Sequence, residues 1–295
     1  MKQENTPSSP PCEVCECHNM IALFQKGNDT YQKCPQCGLI RMYPQPSDDT
    51  LAAIYQGNYY QAWGETEDVY RQMKRMTFSR LLRLLPFDAP QGKKLLDVGA
   101  ATGLLMELAA EYGYDVFGVE TAADGVAALV QKFGAHKIAS GYFNQIDFVS
   151  LGWKAQFDVV VMCDLFEHVR DPNQTLQLTY SLLKPQGVLL LYLPNTASFS
   201  CRMQQRGWEH FKTEHLYSFS TTNITRITKK HHFSVVKAIS FPKTLNIDYI
   251  MTVTEKMPSG ITLKLQPLFS KIPQRLRRIS LTVPIGQMAV VARKM

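Results

Sequence analysis

Three groups of residues in this 295-residue sequence have types and spacings suited to chemistry. Five of its seven cysteines fall within the first 37 residues. Cys12-x-x-Cys15 and Cys34-x-x-Cys37 are separated by 18 residues. Each pair offers two thiolates to one ion, the pattern of a four-thiolate Zn2+ site of the ribbon type. Gly38 and Pro35 suit a tight second knuckle. Cys17 and His18 are spare donors, and Cys17 is a less regular substitute for Cys15. Disulfides or redox thiols are the competing reading. The matched knuckles, and a polar Pro/Ser-rich N-terminus that does not read as an export signal, count against it.

The second group lies between Lys93 and Leu105, which reads as a buried strand, a Gly-bounded turn and a helix start. Gly99 permits a sharp turn, and Ala101 and Gly103 let a ligand and the helix approach the backbone. Taken alone, such a turn is common to any doubly wound fold. Asp97 sharpens it, because a carboxylate two residues before Gly99 repels a pyrophosphate and suits a cationic amino-acid group. A second strand, Tyr114 to Glu120, ends in a carboxylate suited to ribose hydroxyls, about 20 residues downstream as in dinucleotide sites.

The third group is Asp164-Leu165-Phe166-Glu167-His168-Val169, directly after the apolar strand Phe157 to Met162. The segment Trp208 to Ser220 adds aromatics, His210, His215 and Glu214. Both follow strand ends, where α/β sheets place their ligands. Around these groups the chain alternates. Helices are expected over 65–85, Ala123 to Phe133, Pro172 to Leu183 and Thr221 to His231, the last capped by Ser220 or Thr221. Strands are expected at Lys137 to Ser140, Val188 to Leu193, Ser234 to Ile239 and Met288 to Ala292. Met20 to Phe24 and Asp29 to Lys33 read as short strands feeding the second cysteine knuckle. The rhythm implies an α/β, doubly wound, mostly parallel sheet.

The turn with Asp97, Gly99, Ala101 and Gly103 resembles motif I of the class I S-adenosylmethionine (SAM) methyltransferases, although many members carry Gly where Ala101 stands. Glu120 matches their ribose-binding acid, and Glu167-His168-Val169 resembles a segment common among them. The order of cysteine pairs, Pro44-Gln45-Pro46, a Tyr-rich stretch at Tyr55, Tyr59 and Tyr60, then motif I is similar to zinc-ribbon methyltransferases that modify bacterial small molecules and sugars. The resemblance spans nearly the whole chain. It implies a seven-stranded sheet with an antiparallel last strand, and SAM and Zn2+ as cofactors. It places Asp97, Gly99, Ala101, Gly103, Glu120, Phe143 and Asp164 around SAM, with Asp164 toward the methionine end and Phe143, beside Tyr142, toward adenine. Ordinary core packing is the alternative for the two aromatics. Glu167, His168 and His215 are then the catalytic candidates, with His as a proton acceptor near neutral pH. Two readings stand for His168, a structural hydrogen-bonding residue or a group facing the acceptor. For 208–217 they are an acceptor-site lid, with His215 or His210 as base, and a packed connector.

The implied organisation is a ribbon over 1–46, a helical connector over 47–92 and a methyltransferase domain over 93–295 with insertions near 195–220 and 241–284. The acceptor is expected to be a small molecule or glycan-like compound, methylated on oxygen, nitrogen or carbon. A net charge of +7 allows anionic partners. A nucleic-acid methyltransferase is nevertheless disfavoured: Cys163-Asp164-Leu165-Phe166 lacks a Pro-Pro-aromatic motif, and no Pro precedes Cys163. A noncatalytic SAM-binding module is disfavoured by the intact motif. Residues 270–279 read as a basic amphipathic helix suited to peripheral membrane contact. No apolar run reaches the ~18 residues of a membrane span, and a cytoplasmic location is expected.

Overall fold

A computed structural model describes residues 9–55, 68–256 and 266–295. Tyr59, Tyr60 and the start of the helix expected over 65–85 lie outside the described residues. The N-terminal part carries β1 (Ile21–Lys26), β2 (Asp29–Lys33), β3 (Ile40–Met42) and α1 (Asp48–Tyr55). There follow α2 (Asp68–Leu82), β4 (Lys94–Val98), α3 (Leu104–Glu111), β5 (Asp115–Glu120), α4 (Ala123–Phe133) and β6 (Ile138–Ser140). Then come β7 (Phe157–Cys163), α5 (Pro172–Leu182), β8 (Leu183–Pro194), α6 (Phe199–Gln204), β9 (Tyr217–Ser218) and α7 (Thr221–Lys230). The chain closes with β10 (Phe233–Leu245), α8 (Ile247–Lys256), the one-turn α9 (Gln274–Arg277) and β11 (Leu281–Lys294).

Seven strands form one sheet in the order β10-β11-β8-β7-β4-β5-β6. β4 is parallel to both β5 and β7, and β7 is parallel to β8. β11 runs antiparallel to β8 and to β10. The central strands are apolar at nearly every position because helices cover both faces, as parallel sheets require. Leu95, Leu96, Val159, Val160, Val161, Leu189, Leu190 and Leu191 are fully buried. The chain order reverses between β4 and β7, so the crevice beyond their carboxyl ends is the natural ligand site.

Local chemistry sets several boundaries. Asp171 caps α5 by accepting from the Asn173 and Gln174 amides, with Pro172 pre-set at the first helical position. Ser220 caps α7 in a reciprocal box with Asn223. β10 and β11 are longer than their periodicity suggests, and their pairing continues past a register shift to Leu245 and Leu281. Part of the stretch read as an insertion therefore belongs to the hairpin. The amphipathic helix expected over 270–279 does not form. Its helical part is confined to Gln274–Arg277, and the guanidiniums of Arg277 and Arg278 sit 3.1 and 3.5 Å from the Asp248 carboxylate. Arg277 and Arg278 thus face the chain's own α8, while Lys271 and Arg275 are exposed. Among the described residues no helix is long and apolar enough to cross a membrane.

The small sheet has the order β1-β2-β3-β9. Its fourth strand comes from the segment after β8: Ile40 pairs with Ser218 and Arg41 with Tyr217. Trp208 and Phe211 of the same segment pack on Phe24 and Tyr31. Lys26 donates to the Trp208 and Phe211 carbonyls at 3.1 and 2.6 Å. Arg41 is buried and bonded to Glu13 at 2.7 Å. The cysteine-bearing end is thus joined to the loop that ends at the crevice.

Candidate functional site

The two cysteine knuckles are built alike. The Glu16 amide donates to the Cys12 carbonyl and the Gly38 amide to the Cys34 carbonyl, at 2.8 and 2.9 Å. Glu16 and Gly38 hold matching left-handed conformations, φ 62° and 76°. The four sulfur atoms of Cys12, Cys15, Cys34 and Cys37 lie within 4.8 Å of one another. Two of the separations are 3.5 Å (Cys12–Cys37) and 3.4 Å (Cys15–Cys34). Cys17 is buried outside the set and His18 is exposed. Hydrogen bonding from Cys37 pulls the Cys12 thiol down to about 5, while Cys37 itself is pushed up.

On the large sheet, β4 delivers Asp97 and the turn after it. Gly99 has φ 77°, and a Cβ there would meet Leu165 Cδ1 at 3.0 Å. Gly103 has φ 84°, and a Cβ would stand 2.7 Å from Leu129 Cδ2. Both constraints come from close packing as well as from turn geometry. Ala101 sits at φ 49°, and its amide donates to Glu120 Oε2 at 2.7 Å. Glu120 Oε1 accepts from the Thr121 and Ala122 amides. The carboxylate ending β5 is thereby locked to the β4–α3 turn. Asp97 is 3% exposed and its carboxyl is pushed up to about 7, chiefly by burial and then by the charge of Glu120.

The same cleft receives the end of β7. Asp164, at φ 50°, faces Lys74 of α2 across 3.4 Å. Lys74 was not visible as a site residue in the sequence, because nothing local links it to a group 90 positions away. Phe143 is buried against Phe148, at the end of an aromatic chain through Trp153 and Phe157 to Phe117. It still borders the cleft, as does the half-exposed Tyr142.

Glu167, His168 and His215 converge, with their ligating atoms within 4.8 Å of one another. The His168 and His215 rings meet edge to face at 4.6 Å, and His210 stacks on His215 at 5.8 Å. The Tyr217 amide of β9 donates to the Glu167 carbonyl at 3.1 Å, tying this group to the small sheet. Both carboxylate oxygens of Glu167 are buried without a hydrogen-bond partner. Burial, and next the charge of Asp164, pushes its carboxyl well up. Burial, followed by Lys212, pulls His168 down to about 3; His210 also falls to about 3, and His215 falls well below its usual value. A buried cation is costly beside Lys212, so the fold disfavours the charged form of these rings. The 208–217 segment is in part a packed connector and in part cleft lining. Trp208 and Phe211 are packing, and His215 reaches the cleft.

A family model described as a methyltransferase domain matches residues 69–238. The ubiquinone biosynthesis O-methyltransferase of Xanthomonas axonopodis pv. citri is 32% identical over 141 residues, 42% of this chain and 56% of that protein. That of Haemophilus ducreyi is 36% identical over 109 residues, 34% of this chain and 44% of that protein. The chain thus spans about half the length of these curated relatives. Among solved structures, Burkholderia thailandensis 1,6-didemethyltoxoflavin-N1-methyltransferase, with 1,6-didemethyltoxoflavin and S-adenosylhomocysteine bound, superposes with a TM-score of 0.52 at 15% identity, over 93% of this chain and 99% of that one. A SAM-dependent methyltransferase from Archaeoglobus fulgidus gives 0.52 at 19% identity, over 76% and 94%. At these identities the likeness is one of fold.

Proposed function

From the premise that the chain belongs to the methyltransferase-domain family, we propose that it binds SAM and transfers the methyl group to a small-molecule hydroxyl. The observation that carries this reading is the shared cleft. Asp97, the Gly99–Gly103 turn and Glu120 border it on the β4–β5 side, and Glu167, His168 and His215 border it beyond β7. Asp97 suits the cationic amino-acid end of SAM, and the Glu120 carboxylate suits the ribose. The bound cofactor supplies an electrophilic methyl on sulfonium. The protein's part is to hold the acceptor oxygen in line and keep water out. The Glu167 cluster holds the acceptor hydroxyl and lowers the cost of its losing a proton. An oxygen acceptor is favoured by the names of the ubiquinone-pathway relatives. Glycan-like hydroxyls share the chemistry. An N-methylation reading is favoured by the names of structural neighbours such as the toxoflavin enzyme.

The cysteine set is suited to Zn2+. Four bonds of about 2.3 Å in a tetrahedron place sulfurs about 3.8 Å apart, close to the separations here. A division into ribbon, connector and methyltransferase domain fits the two sheets, with β9 as the tie between them. The test of the activity is transfer of labelled methyl from SAM into a metabolite extract, with mass identification of the product. A labelled O-methyl product supports the reading. A protein that binds SAM yet labels nothing across extracts rich in phenols and sugars counts against it.

A further inference from the structure

We propose that Glu167, His168 and His215 form a second metal site, taking a divalent first-row transition ion on the acceptor side of the cleft. Three observations converge. The ligating atoms of the three residues already lie within 4.8 Å of one another. Glu167 is 1% exposed, and neither carboxylate oxygen has a hydrogen-bond partner. Two bare, buried carboxylate oxygens are destabilising unless a cation or donors satisfy them. Third, the two imidazoles are held in place by ring packing: His168 meets His215 edge to face at 4.6 Å, and His210 stacks on His215 at 5.8 Å. Metal-binding histidines are held in fixed orientations by the groups around them. Lys212, whose charge acts on all three residues, is engaged by Glu214 at 2.6 Å.

The donor set selects the ion. Two imidazoles and one carboxylate favour Mn2+, Fe2+, Co2+, Ni2+ or Zn2+ over Mg2+ or Ca2+, which prefer all-oxygen shells. Three protein ligands leave open positions, as in sites that bind a substrate oxygen. The inference rests on the methyl-transfer reading only for the cation's purpose. An acceptor hydroxyl bound to it loses its proton to water near neutral pH. Its oxygen then bonds to the methyl carbon, and the C–S bond breaks with its electron pair retained by sulfur. The cation stays on Glu167, His168 and His215 throughout, and nothing is oxidised or reduced.

The probe is Mn2+, titrated into full-length protein whose cysteine site is already loaded with zinc, and followed by loss of the free-ion paramagnetic resonance signal. One saturable Mn2+ per chain is expected. Outer-shell changes at metal sites cost about 10–100-fold in affinity, so Glu167→Gln and His215→Gln are expected to weaken binding at least about 100-fold. Retained zinc content and an unchanged melting temperature certify each variant as folded. Independently of any variant, Mn2+ is expected to broaden the His168 and His215 imidazole signals of the wild-type protein and to leave exposed His18 and His232 sharp. Absence of saturable binding overturns the proposal, as does binding that both folded variants keep or broadening that spares His168 and His215. SAM calorimetry on the same sample separates the readings. SAM binding without Mn2+ binding removes the cation alone; Mn2+ binding without SAM binding removes the methyl-transfer reading alone.

Discussion

On the β4–β5 side of the cleft, ligand-facing groups are held by backbone geometry within one βαβ unit. The left-handed glycines, the Ala101 amide on Glu120 and the parallel register of β4 with β5 define that side. On the β7 side, the groups are gathered from distant stretches. Glu167 and His168 end one strand, His215 comes from the segment that continues into β9, and β9 is held by the cysteine-bearing sheet. One half is a local turn that sequence spacing encodes. The other exists only when remote parts of the chain pack together. Changes on the first side are therefore expected to act on cofactor binding, and changes on the second on transfer.

The largest effect is expected from the cysteines. Structural zinc contributes apparent free energies of about 10–16 kcal/mol in small zinc domains. Cys34→Ser is expected to release the metal, unpair β9 and abolish methyl transfer, while SAM affinity falls less than about tenfold, the span of 1.4 kcal/mol. Zinc analysis beside SAM calorimetry checks this; a zinc-free variant with full activity breaks the link between the small sheet and the cleft. Next in size is His215→Ala. Loss of a group that assists proton removal typically costs ~10²–10⁴-fold in rate. The rate is expected to drop by that order with SAM affinity near wild type, once an acceptor is in hand. A variant whose only defect is weaker SAM binding places His215 on the wrong side of the comparison.

Asp97→Asn is a smaller change of the opposite kind. A hydrogen bond to a charged group is worth about 1.5–3 kcal/mol, so SAM affinity is expected to fall about 10–150-fold. The folded-state value of Asp97, about 7, lies above its ordinary value of 3.8. The folded protein therefore holds a proton that the unfolded chain has lost between these values, and stability declines as pH rises from about 4 to 7. Asp97→Asn is expected to melt higher than wild type at pH 8 while binding SAM less well; a lower melting point contradicts the burial argument. The smallest effect is the wild-type pH slope. Below about pH 7 a cationic ligand must displace the Asp97 proton, so affinity is expected to fall about tenfold per unit on acidification. Proton release measured in two buffers checks it, and Asp97→Asn is expected to lack it.

The contrast between the two sides also explains what the sequence conveyed. The cysteine knuckles, the Gly99–Gly103 turn and α4 over Ala123–Phe133 are written in local spacing and periodicity, and the structure reproduces them. β9 is two residues long and carries no periodic signal; only its pairing with β3 makes it a strand. Lys74 opposite Asp164, and the approach of His215 to Glu167, depend on tertiary packing with no local counterpart. The downward pull on the histidines has the same tertiary origin. Residue type gives a neutral-pH base, whereas burial beside Lys212 gives rings that stay neutral. Over 270–279 the helix is one turn long, and two of the stretch's four basic residues, Arg277 and Arg278, meet Asp248 on α8, a partner outside any local window.

The central claim is that one side of the cleft binds the cofactor and the other serves the acceptor. Side-by-side calorimetry of SAM on wild type, Asp97→Asn and His215→Ala tests it most directly. The account predicts one SAM per wild-type chain, an Asp97→Asn affinity about 10–150-fold weaker, and a His215→Ala affinity within the error of wild type. No SAM binding by folded wild-type protein, or equal losses in the two variants, would contradict it.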